Sequence, residues 1–458
     1  MLSFENLGNP ADQYFADGLS EEVTNRLVKL SGLSIVARSS AAKYRKSGKN
    51  AQEIGRELDA DYVLDGTVRW SRSAAGSNTI RVTPQLMKVS TGVQIWGEPY
   101  DAVLSEVFEV QTRIAENVAQ ALGGRLVQAD RQALKRASTT SVKANDAYML
   151  GRFHWKQRGT PGALERAAVF FRQAVAADPG FARAYSGLAD TYSLFDFYEV
   201  DTTDEPMRRA KAAAMRAIEL DSTLAEGYAS LAEVLYYAEN NFPRVNQLLQ
   251  RAIKLDPGYA TAHQWYGEFL WTIAQPRKSV MALRKAKELE PLSAPIATSL
   301  AFALWSAGDV AGAEKEFLNA LAIEPRHQTA HALLGSFYAD QGKPDKAVAE
   351  FVAMGAPRAM IEPVFRGFGN EAARPAALAS LHNSRTKSPG FYAALGERDS
   401  AFAMLNGETG GRARFTNTVI RADPMYRNLR GDPRYEALLE RAGVSDRQLR
   451  ATGVTPEQ

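Results

Sequence analysis

A 34-residue periodicity constrains this chain more than any other feature of its sequence. From about Asn145 one pattern recurs: a large residue, a large apolar residue, then Gly or Ala, then another apolar residue three positions on. After a break come a small residue, a large apolar residue and Ala at spacings of four and three, and then Pro. Three copies keep the spacing without drift: His263, Tyr266, Gly267, Leu270, Ser279, Leu283, Ala286, Pro291; Ala297, Leu300, Ala301, Leu304, Ala313, Phe317, Ala320, Pro325; and His331, Leu334, Gly335, Tyr338, Ala347, Phe351, Met354. Looser copies start at Ala147, Tyr185 and Tyr228, the second stretched by about nine residues around Phe195–Thr202. A unit of this size cannot bury its apolar face alone, so successive units have to stack on one another.

The residue types fit that packing. Small residues (Gly151, Ala189, Ala232, Gly267, Ala301, Gly335) recur where two antiparallel helices cross closely, with larger side chains three or four positions away to fill the groove. Gly308 and Gly342 sit at turns inside a repeat, where a left-handed residue ends the first helix. Pro179, Pro257, Pro291 and Pro325 follow the second helix and stop it. Periodicity alone gives a helical solenoid. The motif, strongest from Thr261 to Ala353, resembles the tetratricopeptide repeat family. Six copies are expected over residues 146–355, and residues 356–458 are expected to hold a degenerate pair and capping helices. Phe391–Leu395 and Ala401–Leu405 read as that pair, and Asp423-Pro424 and Asp432-Pro433 read as helix starts. Met354–Pro389 is Ala-, Pro- and Arg-rich.

Residues 1–137 differ in kind and read as a small α/β domain. Gln13–Leu30 has helical spacing, with Phe15, Leu19, Val23 and Leu27 on one face. Ser34–Ala37, Tyr62–Trp70, Thr79–Leu86 and Val93–Trp96 read as strands, Ala51–Leu58 as a short helix and Leu104–Leu122 as a longer one. Ser138–Asn145, rich in Ser and Thr, reads as the linker, placed at residues 138–145. The fold class expected is therefore α/β followed by an all-α solenoid.

The segments Phe4-Glu5-Asn6-Leu7, Tyr14–Glu22, Ile54–Leu58, Tyr62–Val68 and Gln94–Asp101 together resemble the TolB amino-terminal-like domain that precedes tetratricopeptide repeats in bacterial regulators. The resemblance implies the docking or sensory part of a signalling protein. It also implies, as the alternative, the C-terminal regulatory part of a class III adenylate/guanylate cyclase or of a winged-helix regulator. Members usually carry a fuller first strand, whereas Met1 lies three residues before Phe4. Either this domain does without that strand or a longer parent is expected. The resemblance implies no catalytic residue and no cofactor.

Composition narrows the chemistry. The 458 residues contain no cysteine, which removes disulfides, thiolate metal sites and cysteine nucleophiles. Lys and Arg number 55 against 52 Asp and Glu, and no region departs far from neutrality, so nucleic acid is not an expected partner. No apolar run is long enough to span a bilayer, and the N-terminus does not read as a signal peptide, so a cytoplasmic location is expected, or a periplasmic one within a membrane-anchored parent. His327-Gln328-Thr329-Ala330-His331 has the two-histidine spacing of a zinc protease, but Gln328 stands where the general base belongs, and no metal is expected. Gly367–Ala372 matches a dinucleotide loop only superficially, since no strand precedes it. Residues 1–137 contain no histidine, so a histidine-based triad with Ser39, Ser40, Asp17, Asp61 or Asp65 is excluded; a Ser40–Lys43 dyad is unsupported.

Two sets of binding residues emerge. Arg38, Lys43, Arg45, Lys46 and Lys49 form a basic run, the weaker candidate. The stronger is the face built by the first helix of each repeat, where tetratricopeptide arrays carry their concave groove. One position there holds Trp155, Ser193, Tyr236, Trp271, Trp305 and Ala339; others hold Asp190, Glu226, Glu233, Glu268 and Asp340. Aromatic rings bury area at low entropy cost and acids select basic residues, so the expected partner is another protein or a peptide segment.

Overall fold

The computed structural model describes residues 1–28, 44, 49–72, 78–103, 106–122, 139–198, 200–383, 388–407, 419–454 and 456. The fold is a small α/β domain and an all-α array of tetratricopeptide-like helical hairpins. The chain divides into two compact units. The first comprises Met1–Lys156, Arg166–Gly187 and Glu288–Leu292; the second comprises Gln157–Glu165, Leu188–Lys287 and Ser293–Gln458.

In the first unit, β1 (Glu5–Asn6) lies parallel to β2 (Tyr62–Arg72), which pairs antiparallel with β3 (Asn78–Lys88). The far side of β3 carries β4 (Val93–Trp96) and β5 (Tyr100–Val103), the latter not anticipated from the sequence. Leu64 faces Leu86 and Val68 faces Val82 across the central pair, so alternate residues of both strands enter one core. Two helices cover that face. On α1 (Gln13–Val28) the expected stripe Phe15, Leu19, Val23 and Leu27 is buried, and α3 (Val107–Ala121) contributes Val107, Val110, Ile114 and Val118. Each such side chain contributes roughly 1.5–3 kcal/mol by leaving water. A short helix, α2 (Ala51–Glu57), starts on a reciprocal cap between Asn50 and Glu53. The expected strand Ser34–Ala37 lies outside the described residues.

The expected linker needs correction. α4 (Val142–Lys156), the first helix of the first repeat, begins inside it, and α4 belongs to the same core as the sheet: Met149 is buried among the α1 and α3 side chains. Gly18 makes this possible, because a Cβ there would lie 2.4 Å from the Met149 sulfur. The Tyr14 hydroxyl donates to Asp146 at 2.9 Å, Lys156 pairs with Glu21 at 2.8 Å, and Arg183 pairs with Glu22. The second helix of that repeat, α5 (Ala163–Ala177), brings Phe171 against Gly151, where a Cβ would sit 2.7 Å from the ring.

The second unit stacks helix pairs. After α6 (Ala182–Ser193) and α7 (Glu205–Leu220) come α8 (Ala225–Ala238) with α9 (Phe242–Leu255), and α10 (Ala260–Thr272) with α11 (Pro276–Leu289). Next are α12 (Ala294–Ser306) with α13 (Val310–Ile323), and α14 (Gln328–Asp340) with α15 (Pro344–Ala353). The small residues act as the spacing predicts: a Cβ on Gly267 would meet Leu283 at 2.5 Å, and one on Gly335 would meet Phe351 at 2.5 Å. Gly308 (φ 86°) and Gly342 (φ 66°) turn the chain inside their pairs. The Ala-, Pro- and Arg-rich stretch forms a further pair, α16 (Arg358–Arg366) and α17 (Arg374–Asn383), which no repeat signature had marked. The tail follows with α18 (Pro389–Ala394), α19 (Arg398–Gly407), a 3₁₀ helix (Pro424–Leu429), α20 (Pro433–Ala442) and α21 (Asp446–Ala451). Asp423 and Asp432 cap their helices as the Asp-Pro pairs suggested, accepting from Met425 and Arg434 backbone N–H groups.

Candidate functional site

Within the second unit the first helices of successive pairs line a partly open cavity of about 100 Å³. Three of the residues singled out in the sequence meet there: Tyr236 from α8, and Glu268 and Trp271 from α10. Residues three apart on a helix share a face, so Glu268 and Trp271 present a carboxylate beside an indole. The sequence did not single out the rest of the wall. Phe197 and Tyr198 come from the stretched segment after α6, Tyr237 from α8, Gln264 from α10, Ser299 and Phe302 from α12, His327 from the start of α14, and Arg158 from the turn after α4. The nine extra residues of the second copy were the available signal, since an insertion rich in Phe and Tyr within a regular repeat has to pack somewhere.

Polar contacts tie this wall together. Arg158 donates to Gln264 at 3.0 Å, and the Gln264 amide donates to Glu268 Oε1 at 2.9 Å. The Ser299 hydroxyl donates to the same oxygen at 2.6 Å. Burial raises the Glu268 carboxyl, while its two hydrogen bonds and Arg158 act the other way. Glu233, 2% exposed, is pushed well above the usual carboxylate range by burial and then by Glu268 and Asp190, with Arg158 opposing. Its Oε1 has no hydrogen-bond partner among the described residues. His327 is 1% exposed. Its Nδ1 accepts from the Ala330 N–H at 3.1 Å as the cap of α14, which places the proton on Nε2. Burial, Arg158 and His331 lower its pKa to about 3, so the ring is neutral. The Tyr198 phenol is pushed up to about 12, mainly by burial.

The remaining expected groove residues are placed differently. Trp155 and Trp305 are 2% and 1% exposed, so neither presents its ring at a surface. This corrects the expected aromatic stripe. The physical reason is that a large ring on a first helix gains more by packing against the neighbouring helix than by standing in water, as Trp305 does edge-on to Phe302 and Phe337. Trp305 also donates through its indole N–H to Asp340 at 2.8 Å, and Arg427 of the 3₁₀ helix pairs with Asp340 at 3.2 Å. An acid expected to select a foreign basic residue is therefore held by one from the same chain. Asp190 and Ser193 are buried, with Asp190 accepting from Ser230; Ala339 is buried, and Glu226 is half-buried on α8. Of the basic run, Arg38, Lys43, Arg45 and Lys46 lie outside the described residues, and Lys49 pairs with Glu57 at 2.5 Å. His331 does not join His327: its ring contacts Glu350 at 2.7 Å and the Pro325 carbonyl at 3.1 Å. Among the described residues no cluster of three metal-ligating side chains occurs, and no helix is long and apolar enough to cross a membrane.

No family model matches the chain. A curated protein of Rhizobium meliloti (strain 1021), "Putative adenylate cyclase 3", is 30% identical over 238 residues, which is 51% of this chain and 39% of that protein. The chain thus spans about two-fifths of that relative's length. Among solved structures, the human IFIT1 dimer with m7Gppp-AAAA is 14% identical, covers 75% of each chain and gives a TM-score of 0.44. YrrB, a TPR protein with an unusual peptide-binding site, is 19% identical over 46% of this chain and 96% of its own, with a TM-score of 0.28. MamA is 22% identical over 40% of this chain and 93% of its own, at 0.25. With TM-scores below 0.5, none of these likenesses bears on what the chain does.

Proposed function

We propose that this chain is a non-catalytic docking scaffold that binds a protein or peptide segment through the first-helix face of its repeats. The observation that carries this reading is the convergence of Tyr236, Glu268 and Trp271, from successive helix pairs, on one cavity. A preformed wall lowers the ordering cost of binding. Polar groups held by one another, as Glu268 is by Gln264 and Ser299, suit recognition. We assign the role to a bacterial signalling system, with the sheet-bearing region as its TolB-like part and a cytoplasmic location.

The second reading is the regulatory portion of an adenylate/guanylate cyclase or winged-helix regulator, and the 30% identity with the Rhizobium protein favours the cyclase form. Reading the DNA upstream of Met1 for an in-frame effector domain separates the two. The docking reading is tested by affinity capture with the full chain and with Trp271→Ala. Loss of the captured partner by a variant that melts cooperatively supports it. An unchanged set of partners refutes it.

A further inference from the structure

The cavity has more chemical character than a peptide groove requires. Its walls include three contacting aromatic pairs: Phe197 with Tyr198, centroids 4.8 Å apart at 78°; Tyr236 with Tyr237, 4.9 Å at 60°; and Trp271 with Phe302, 4.8 Å at 67°. Ring faces are negative, and in a desolvated site they attract a cation. The lining carboxylate, Glu268, receives both its hydrogen bonds on Oε1, so Oε2 has no donor among the described residues. Two further acids of the same unit, Asp190 and Glu233, are buried as well.

A second observation points to a ligand. His327 lines the cavity nearly fully buried, and among the described residues neither its protonated Nε2 nor the Trp271 indole N–H has an acceptor. Buried donors without partners are costly. A guest carrying an oxygen near its charge offers them acceptors.

We propose that this cavity is a binding site for an organic ammonium group, with Glu268 as its counter-ion, the aromatic pairs as its walls, and the Trp271 and His327 N–H groups as donors to a neighbouring oxygen of the guest. The inference deepens the docking reading by naming the chemistry the site selects. The ammonium comes either from a small free amine or from a lysine side chain of a peptide, and the test separates the two.

The full chain is titrated by calorimetry with n-butylammonium, L-leucinamide, a lysine-containing hexapeptide acetylated at its N-terminus, and 1-butanol as the neutral control. Binding of at least one ammonium probe is expected, with 1-butanol at least about tenfold weaker, a difference of about 1.4 kcal/mol. Binding by the small amines assigns the site to a free amine; binding by the hexapeptide alone assigns it to a lysine side chain. Glu268→Gln, which removes a buried charge while keeping the shape, is expected to weaken the ammonium probe at least about tenfold. Phe302→Leu removes one ring face and is expected to weaken it several-fold, providing a second variant if the first does not fold. The proposal is overturned if no ammonium probe binds, if 1-butanol binds equally well, or if folded Glu268→Gln binds unchanged. Failure here with continued loss of the captured partner in Trp271→Ala leaves the docking reading standing and removes only the ammonium assignment.

Discussion

His327 ties the stability of the second unit to acid in a way that can be isolated by one substitution. An ordinary imidazole takes up a proton near pH 6.5, whereas burial and Arg158 hold this one to about pH 3. Between those values the unfolded chain binds a proton that the folded chain does not, so stability is complete above pH 6.5 and falls as the pH drops. From pH 7.5 to pH 5.0 the loss attributable to this ring is about 2 kcal/mol, continuing at about 1.4 kcal/mol per pH unit toward pH 3. The perturbation is His327→Asn. Asparagine is a strong N-cap, so its side-chain oxygen takes over the Ala330 N–H that Nδ1 now accepts, while the titrating group disappears. The ring also lies against Gly159, where a Cβ would be 2.2 Å from Cδ2, so the smaller side chain brings a packing loss that does not depend on pH. Urea denaturation of both proteins at pH 7.5 and 5.0, followed by circular dichroism, gives the difference directly. The variant is expected to lose about 2 kcal/mol less than the parent over this interval. Equal losses would refute the claim that this histidine stays neutral in the folded chain.

Two other outcomes follow from the same structure. Glu233 behaves with the opposite sign: because its folded carboxyl is raised, the parent should lose stability with rising pH above about 4.5, by at most about 1.4 kcal/mol per unit, and Glu233→Gln should flatten that decline in thermal melts recorded from pH 6 to 9. Met149→Ala should destabilise the sheet-bearing unit by roughly 2–4 kcal/mol, although residue 149 belongs to a repeat helix, and hydrogen exchange should show faster exchange in α1 and α3.

The repeats were legible in the sequence because their signal is local and redundant. Gly267 with Leu283 and Gly335 with Phe351 are close crossings that only a small residue permits, and each recurs in register, so copies reinforce one another. The stripe Phe15, Leu19, Val23 and Leu27 was legible for the same reason, a period met by every member. The linker was misplaced because Ser138–Asn145 has turn composition, while the apposition of Gly18 and Met149 is separated by more than a hundred residues and leaves no periodic trace. α16 and α17 were missed because Pro363 stands inside a helix, where sequence rules expect an end. The site was half legible. Spacing marked Tyr236, Glu268 and Trp271 as sharing a face, but it gave no depth, so Trp155 and Trp305 looked equivalent to Trp271 although the structure buries them almost completely.

That partial success has a physical origin that bears on the proposed site. A repeat holds its geometry by repeating the small residue at each helix crossing, and the position just after it is free to vary. Along the chain that next position reads Arg152, Asp190, Glu233, Glu268, Phe302 and Ser336. The backbone is nearly periodic, yet the charge is not: three acids fall in consecutive copies and apolar or polar residues follow. Burying one acid in a helix pair is costly, and burying three in succession compounds the cost through mutual repulsion, as the raised Glu233 carboxyl reflects. A uniform docking stripe would gain nothing from concentrating that penalty. A local site for a cationic group would recover it on binding, which favours placing the proposed recognition chemistry around this cavity and not along the full length of the array.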